Sequence, residues 1–130
     1  MPGAIQSPKI SVLVVDDDEV VRSMLTLVLS LENCRIHTTK SVADPLRAIE
    51  QTPFDVYVMD FKLPDGSGLD VAERIRSNGS KSPIILMSGY DSNAFKMRAE
   101  ELYIFGYLQK PFSRATFCSA VRKVISSVSA

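Results

Sequence analysis

Apolar residues along this chain follow two alternating patterns: short, nearly continuous runs, and longer stretches in which they recur every three or four positions. The runs are Ile10–Val15, Phe54–Met59, Pro83–Ser88 and Phe105–Gln109. Runs rich in β-branched, aromatic and aliphatic residues suit strands buried on both faces of a sheet. Arg35–Thr39 alternates weakly and predicts a strand nearer the sheet edge. Between the runs, helical spacing joins Val20, Val21, Met24, Leu25, Val28 and Leu29, then Val42, Leu46 and Ile49 within 41–51. It continues in Leu69, Ala72 and Ile75, in Phe95, Ala99 and Leu102, and in Phe117, Val121, Val124 and Val128. Strands and helices that alternate in this way form right-handed βαβ units, with a parallel sheet covered on both faces. The prediction is a flavodoxin-like doubly wound (βα)5 α/β domain, its five-stranded parallel sheet in the order 2-1-3-4-5.

Polar punctuation agrees with these boundaries. Asp18 or Glu19 stands at the positive end of the first helix. For the second, either Ser41 is the cap or Asp44 is, with Pro45 in the first turn. Ser67 with Asp70 reads as a capping box, Gly79 as a stop, and Ser113 as a cap with Phe112 as a staple residue outside it. Residues 1–8 hold two prolines and a glycine and read as a disordered lead-in to a domain over 9–130. The helix over 93–102 is followed by Leu102-Tyr103-Ile104, with no glycine to take a left-handed conformation. That helix is therefore expected to end earlier, to end differently or to be poorly ordered, with Tyr103 and Phe105 buried beneath it in preference to forming a partner patch.

A chain of 130 residues, 45% hydrophobic and 23% charged, is one ordinary globular domain. Fifteen basic residues balance fifteen acidic ones, which excludes bulk attraction to nucleic acid or to an anionic membrane. No apolar run approaches the roughly 20 residues that span a bilayer. Cys34 and Cys118 lie far apart, in apolar-patterned segments and without metal-ligand spacing, and the opening MPGAIQSPK has no hydrophobic signal region. A cytoplasmic protein with two buried, inert thiols is expected. His37, the single histidine, has no acid or cysteine at ligand spacing and reads as structural or solvent-facing.

The candidate chemistry sits where the runs stop. In the 2-1-3-4-5 order, the carboxyl ends of strands 1, 3, 4 and 5 bring Asp16, Asp17, Asp60, Ser88 and Lys110 to one edge of the sheet, where such folds place their ligands. Two like charges about 4 Å apart repel by about 4 kcal/mol at an effective dielectric of about 20, so the acids call for a cation. An oxygen-only site suits Mg²⁺. A carboxylate is also a competent nucleophile toward a phosphoryl group, with the metal and a lysine taking up the developing charge. Asp18 and Glu19 read as dipole partners rather than as ligands.

Four segments carry a resemblance: VLVVDDD at 12–18, VYVMDFKLPDGSG at 56–68, IILMSG at 84–89 and GYLQKPF at 106–112. Together, in order and each at a strand end, they resemble the receiver domains of two-component response regulators, over Ile10 to Val128. The resemblance implies that Asp60 accepts a phosphoryl group from a sensor histidine kinase or a phosphotransfer protein. It implies Mg²⁺ held by Asp17, Asp60 and the backbone carbonyl of Lys62, with Asp16 acting through water. Ser88 and Lys110 would hold the phosphoryl oxygens, Ser88 and Tyr107 would form the switch, and the Lys110-Pro111 bond would be cis. The output face would comprise the fourth helix, fifth strand and fifth helix, docking an effector, an output domain or a second copy. Such a chain is a switch, not an enzyme. Lys62 and Tyr90, two residues beyond Asp60 and Ser88, are bulky and predict slow self-hydrolysis. Two other classes stay open: a phosphorylation-independent interaction module, and a Mg²⁺-dependent phosphatase, which would want an acid where Lys62 stands.

Overall fold

All the predicted strand segments join one parallel sheet. A computed structural model describes residues 10–43, 47, 53–89 and 93–129. Strands β1 (Ile10–Val15), β2 (Cys34–Thr39), β3 (Val56–Asp60), β4 (Ile84–Ser88) and β5 (Gly106–Gln109) lie in the order β2-β1-β3-β4-β5. Every pairing is parallel, with Val12 opposite both Ile36 and Val56, and Met59 opposite Leu86. This is the doubly wound order the alternation predicts. Helices α1 (Glu19–Leu31), α2 (Gly68–Ser77), α3 (Asn93–Glu101) and α4 (Arg114–Ser129) flank it. The helix expected over 41–51 lies largely outside the described residues. Among those residues, no helix is long and apolar enough to cross a membrane.

The strands bury both faces, and consecutive residues feed opposite cores. Leu13, Val15, Tyr57, Met59, Ile84 and Leu86 face Leu69, Ala72 and Ile75 of α2 and Ala99 of α3. Val12, Val14, Val56, Val58, Ile85 and Met87 face Leu25, Val28 and Leu29 of α1 and Phe117, Val121 and Val124 of α4. Full burial of one such side chain contributes about 1.5–3 kcal/mol, so this two-sided pattern is what holds the sheet between its helices.

Four apolar residues stand elsewhere than expected. Phe54 precedes β3, because Asp55 N–H donates to the Ser11 carbonyl and Phe54 N–H turns to the Tyr57 hydroxyl, 3.2 Å away. Val20 is 77% exposed: it lies nine positions before Leu29, two and a half turns round α1. Cys118 is half-buried rather than buried, while Cys34 is buried as the first residue of β2, and both are free thiols. Phe105 lies just ahead of β5. His37 is exposed, its ring 6.0 Å from that of Phe54.

The caps follow the sequence closely. Asp18 accepts from Val20 and Val21 N–H, and Ser67 with Asp70 forms the complete capping box. Ser113 Oγ accepts from Thr116 N–H, and Phe112 stacks on Phe117 with centroids 5.9 Å apart, as a hydrophobic staple should.

The end of α3 corrects the prediction. Tyr103 takes a left-handed φ of 55°, with Tyr103 N–H donating to the Glu100 carbonyl and Ile104 N–H to that of Ala99. The same two bonds close α2, where Gly79 N–H reaches Arg76 and Ser80 N–H reaches Ile75. One motif thus ends both helices, with glycine in one and tyrosine in the other. Arg76 is the compensation: Nε donates to the Leu102 carbonyl at 2.8 Å and Nη2 to that of Tyr103 at 3.2 Å, while Nη1 bonds Ser80 and Ser82. The aromatics are not buried under the helix. Tyr103 is 80% exposed and Phe105 45%. Tyr103→Gly should relieve the left-handed strain at the expense of a more flexible unfolded chain, a net gain of about 0.5–1 kcal/mol in urea denaturation.

Candidate functional site

β1 runs apolar to Val15 and releases the chain into three acids. Asp16 is fully buried, and its polar atoms are bonded on every side. Its N–H donates to the Thr39 carbonyl at 3.0 Å, and its carbonyl accepts from Arg22 Nη1 at 2.8 Å. Its Oδ1 accepts from Asp18 N–H at 2.9 Å and its Oδ2 from Lys110 Nζ at 2.8 Å. β3 ends on Asp60, also buried, whose Oδ2 lies 3.2 Å from Lys110 Nζ. Asp17 is exposed at the rim, yet an oxygen from each of Asp16, Asp17 and Asp60 falls within 4.8 Å of the others.

A pocket of about 510 Å³ opens over this cluster, lined by Asp17, Asp60, Lys62, Leu63, Pro64, Ser88, Gly89 and Lys110. Five strand-end residues expected to converge do so: Asp16, Asp17, Asp60, Ser88 and Lys110. Ser88 is buried at the end of β4, its carbonyl accepting from Lys110 N–H at 2.9 Å. The Lys110-Pro111 peptide is cis. Lys62 lines the pocket from the short antiparallel ribbon that pairs Lys62–Leu63 with Gly66–Ser67. Tyr90 lies outside the described residues. Tyr107, 48% exposed on β5, stands apart from the pocket.

The electrostatics are those of a cation site. Burial first, then the Asp16 charge, pushes the Asp60 carboxyl above the usual carboxylate range, with Lys110 only partly offsetting them. Burial pulls the Lys110 ammonium down, but its hydrogen bond to Asp16 and the charges of Asp16 and Asp60 carry it above the ordinary lysine value. One ammonium against three carboxylates leaves two negative charges in excess. Three carboxylates within reach of one point, with no nitrogen or sulfur donor among them, fit a hard, oxygen-seeking ion such as Mg²⁺.

Two residues at or beside this site escape a reading by pattern. Arg22 reaches back from α1 to Asp16. Asp65, which reads as a turn residue, accepts from Val42 N–H at 2.7 Å and Ala43 N–H at 3.2 Å, so it ties the loop after β3 to the segment after β2. The Val42 hydrogen bond holds the Asp65 carboxyl below its usual range. A lowered carboxyl contributes stability above its unfolded value and loses it as pH falls through the folded one. Asp65→Ala should therefore destabilise the chain at pH 7, and the gap to wild type should narrow below about pH 4, in parallel urea titrations.

A doubly wound domain with an acidic, lysine-bridged pocket at the carboxyl edge of its sheet is the class these features define. The chain belongs to the response regulator receiver domain family, whose model matches residues 12–122. It is 34% identical over 104 residues to the acid tolerance regulatory protein ActR of Rhizobium meliloti, covering 80% of this chain and 54% of that protein. It is 31% identical over 114 residues to the transcriptional regulatory protein KdpE of Mycobacterium tuberculosis, covering 88% and 50%. The chain thus spans about half the length of these relatives, and 24% of NtrC from Azospirillum brasilense, to which it is 31% identical over 117 residues. Among solved structures, the non-phosphorylated HemR receiver domain of Leptospira biflexa superposes with a TM-score of 0.84 at 29% identity, over 91% of this chain and 95% of that one. A CheY-like receiver from Methanospirillum hungatei gives 0.86 at 22% identity, over 95% and 98%, a likeness of fold. The chain is a receiver domain of the two-component response regulators, a class of regulatory switches.

Proposed function

We propose that this receiver is a phosphoacceptor switch, with residues 9–130 as the working unit and Asp60 as the acceptor. The observation that carries the reading is the gathering of three carboxylates around Lys110 at one strand edge. A carboxylate oxygen of Asp60 would attack phosphorus on a phosphohistidine of a sensor kinase or phosphotransfer protein. The P–O bond forms as the P–N bond breaks, and the imidazole leaves with the electron pair. Lys110 would hold the negative charge that shifts onto the phosphoryl oxygens, and Ser88 would donate to one of them. Asp17, Asp60 and the Lys62 carbonyl would hold Mg²⁺, with Asp16 bonding through water. When bound, the ion neutralises the acids and polarises the phosphoryl group.

The product adds about −1.5 to −2 charges and three acceptor oxygens. Through Ser88 and Tyr107 it would bias the face made by α3, β5 and α4, where an effector, an output domain or a second copy docks. The two free thiols suit a reduced compartment, the cytoplasm. Slow self-hydrolysis follows from Lys62 at the pocket rim: replacing Lys62 and Tyr90 by small residues should speed decay of the phosphorylated chain severalfold, and unchanged decay would remove the idea.

The deciding test is intact mass after incubation with acetyl phosphate, with and without MgCl₂, beside Asp60→Asn. A single phosphoryl adduct that needs Mg²⁺ and is lost in the variant is expected. A folded wild-type chain that takes up nothing would leave a phosphorylation-independent interaction module as the better reading.

A further inference from the structure

We infer that Arg22 is a positioning residue for the cation site, holding the peptide between Asp16 and Asp17 so that the Asp17 carboxylate stays in the cluster. The inference rests on the proposed Mg²⁺ site and adds a residue to it. Asp17 is the exposed member of the three acids, and it lines the pocket from a loop rather than from a strand. Its direction is set by the peptide plane that precedes it. That plane carries the Asp16 carbonyl, and the bond it receives from the described residues is the one from Arg22 Nη1, at 2.8 Å. The other three contacts of Asp16 hold its N–H and its carboxylate, and the turn that Asp18 N–H closes on Oδ1 fixes the two ends of this peptide, so the bond from Arg22 is what fixes the direction of its carbonyl. Arg22 is itself anchored: it is half-buried on the first turns of α1, and its N–H donates to the Asp18 carbonyl at 3.0 Å. The helix that Asp18 caps therefore reaches back and pins the loop that delivers Asp17.

Position and charge predict opposite results. A guanidinium bonded to the Asp16 carbonyl puts positive charge near the acids and repels an incoming cation, so deleting its charge alone would tighten Mg²⁺ binding. Deleting the pin would weaken it, as loss of an outer partner of a metal ligand does. We expect the second effect to win.

The experiment is a titration of the full chain with MgCl₂, followed by the backbone amide shifts of the 16–18 loop, for wild type, Arg22→Met and Arg22→Lys. Arg22→Met should raise the dissociation constant about tenfold, and Arg22→Lys, which keeps a donor able to approach the carbonyl, should stay within about threefold of wild type. Melting in EDTA should differ little among the three, which separates positioning from general stability. Should Arg22→Met fail to fold, Arg22→Gln, whose amide stops short of the carbonyl, takes its place with the same expectation. Binding by the Met or Gln variant equal to or tighter than wild type would overturn the inference, as would a Lys variant as weak as Met. A wild-type chain that shows no saturable Mg²⁺ binding would instead sink the proposed cation site, and the inference with it.

Discussion

Asp60→Asn is expected to melt higher than the wild-type chain in EDTA and to gain nothing from MgCl₂. The raised Asp60 carboxyl means that, at neutral pH, the native state holds an ion it would rather neutralise, through burial first and the Asp16 charge second. A carboxyl raised on folding favours the native state most below its unfolded value, and that advantage is lost as pH climbs through the folded one. Asparagine has nothing to ionise. Its advantage should show at pH 7 and should fade toward pH 4. With Mg²⁺ the order changes, because an ion at ten times its dissociation constant adds about 1.4 kcal/mol to the chain that binds it. A variant that melts below wild type in EDTA would mean that the Lys110 ion pair outweighs the repulsion among the acids.

Gly68→Ala should cost about 3 kcal/mol, although alanine is the better helix former and Gly68 begins α2. A Cβ at this position would lie 2.3 Å from the Asp60 carbonyl oxygen and 3.2 Å from Leu86 Cδ1. The approach is fixed on both sides, since Gly68 N–H donates to the Phe61 carbonyl at 2.8 Å and Phe61 N–H to that of Met87 at 2.7 Å. Neither backbone can retreat without moving Asp60. Gly79 is a glycine for a different reason, its φ of 89°, and a Cβ there would meet nothing within 4 Å. Urea denaturation of both alanine variants would separate the two causes, and a loss below about 1 kcal/mol at Gly68 would show that the start of α2 can shift.

The sheet and the acid pocket were legible because each rests on a local signal. Unbroken runs such as Val12–Val15 and Ile84–Met87 have one way to be buried on two faces, and once the strands are parallel, the residues that end them must share an edge. Ser67, Asp70, Ser113 and Phe112 act within five positions of themselves, so their roles survive from sequence to structure. What could not be read depends on partners far along the chain. Tyr103 tolerates its left-handed backbone with help from Arg76, 27 positions earlier, and Asp65 caps a segment 22 positions before it. Spacing told which residues share the α1 seam but not that Val20 would miss it. Arg22 belongs to no motif in the sequence, and only the fold brings it to the Asp16 carbonyl.

The Arg76 cluster has a bearing on how the molecule breathes. One guanidinium joins carbonyls of Ser80 and Ser82 to those of Leu102 and Tyr103, so the turn after α2 and the foot of α3 share a fastening. Neither stretch can open without releasing the other. The amides of Ser80 and Ile104 should then exchange with solvent in a single cooperative event, a foldon at the amino edge of the sheet, at the opposite end from Asp60. Motions that free α3 there would reach the aromatic face of Tyr103 and Phe105 without passing through the acids at all.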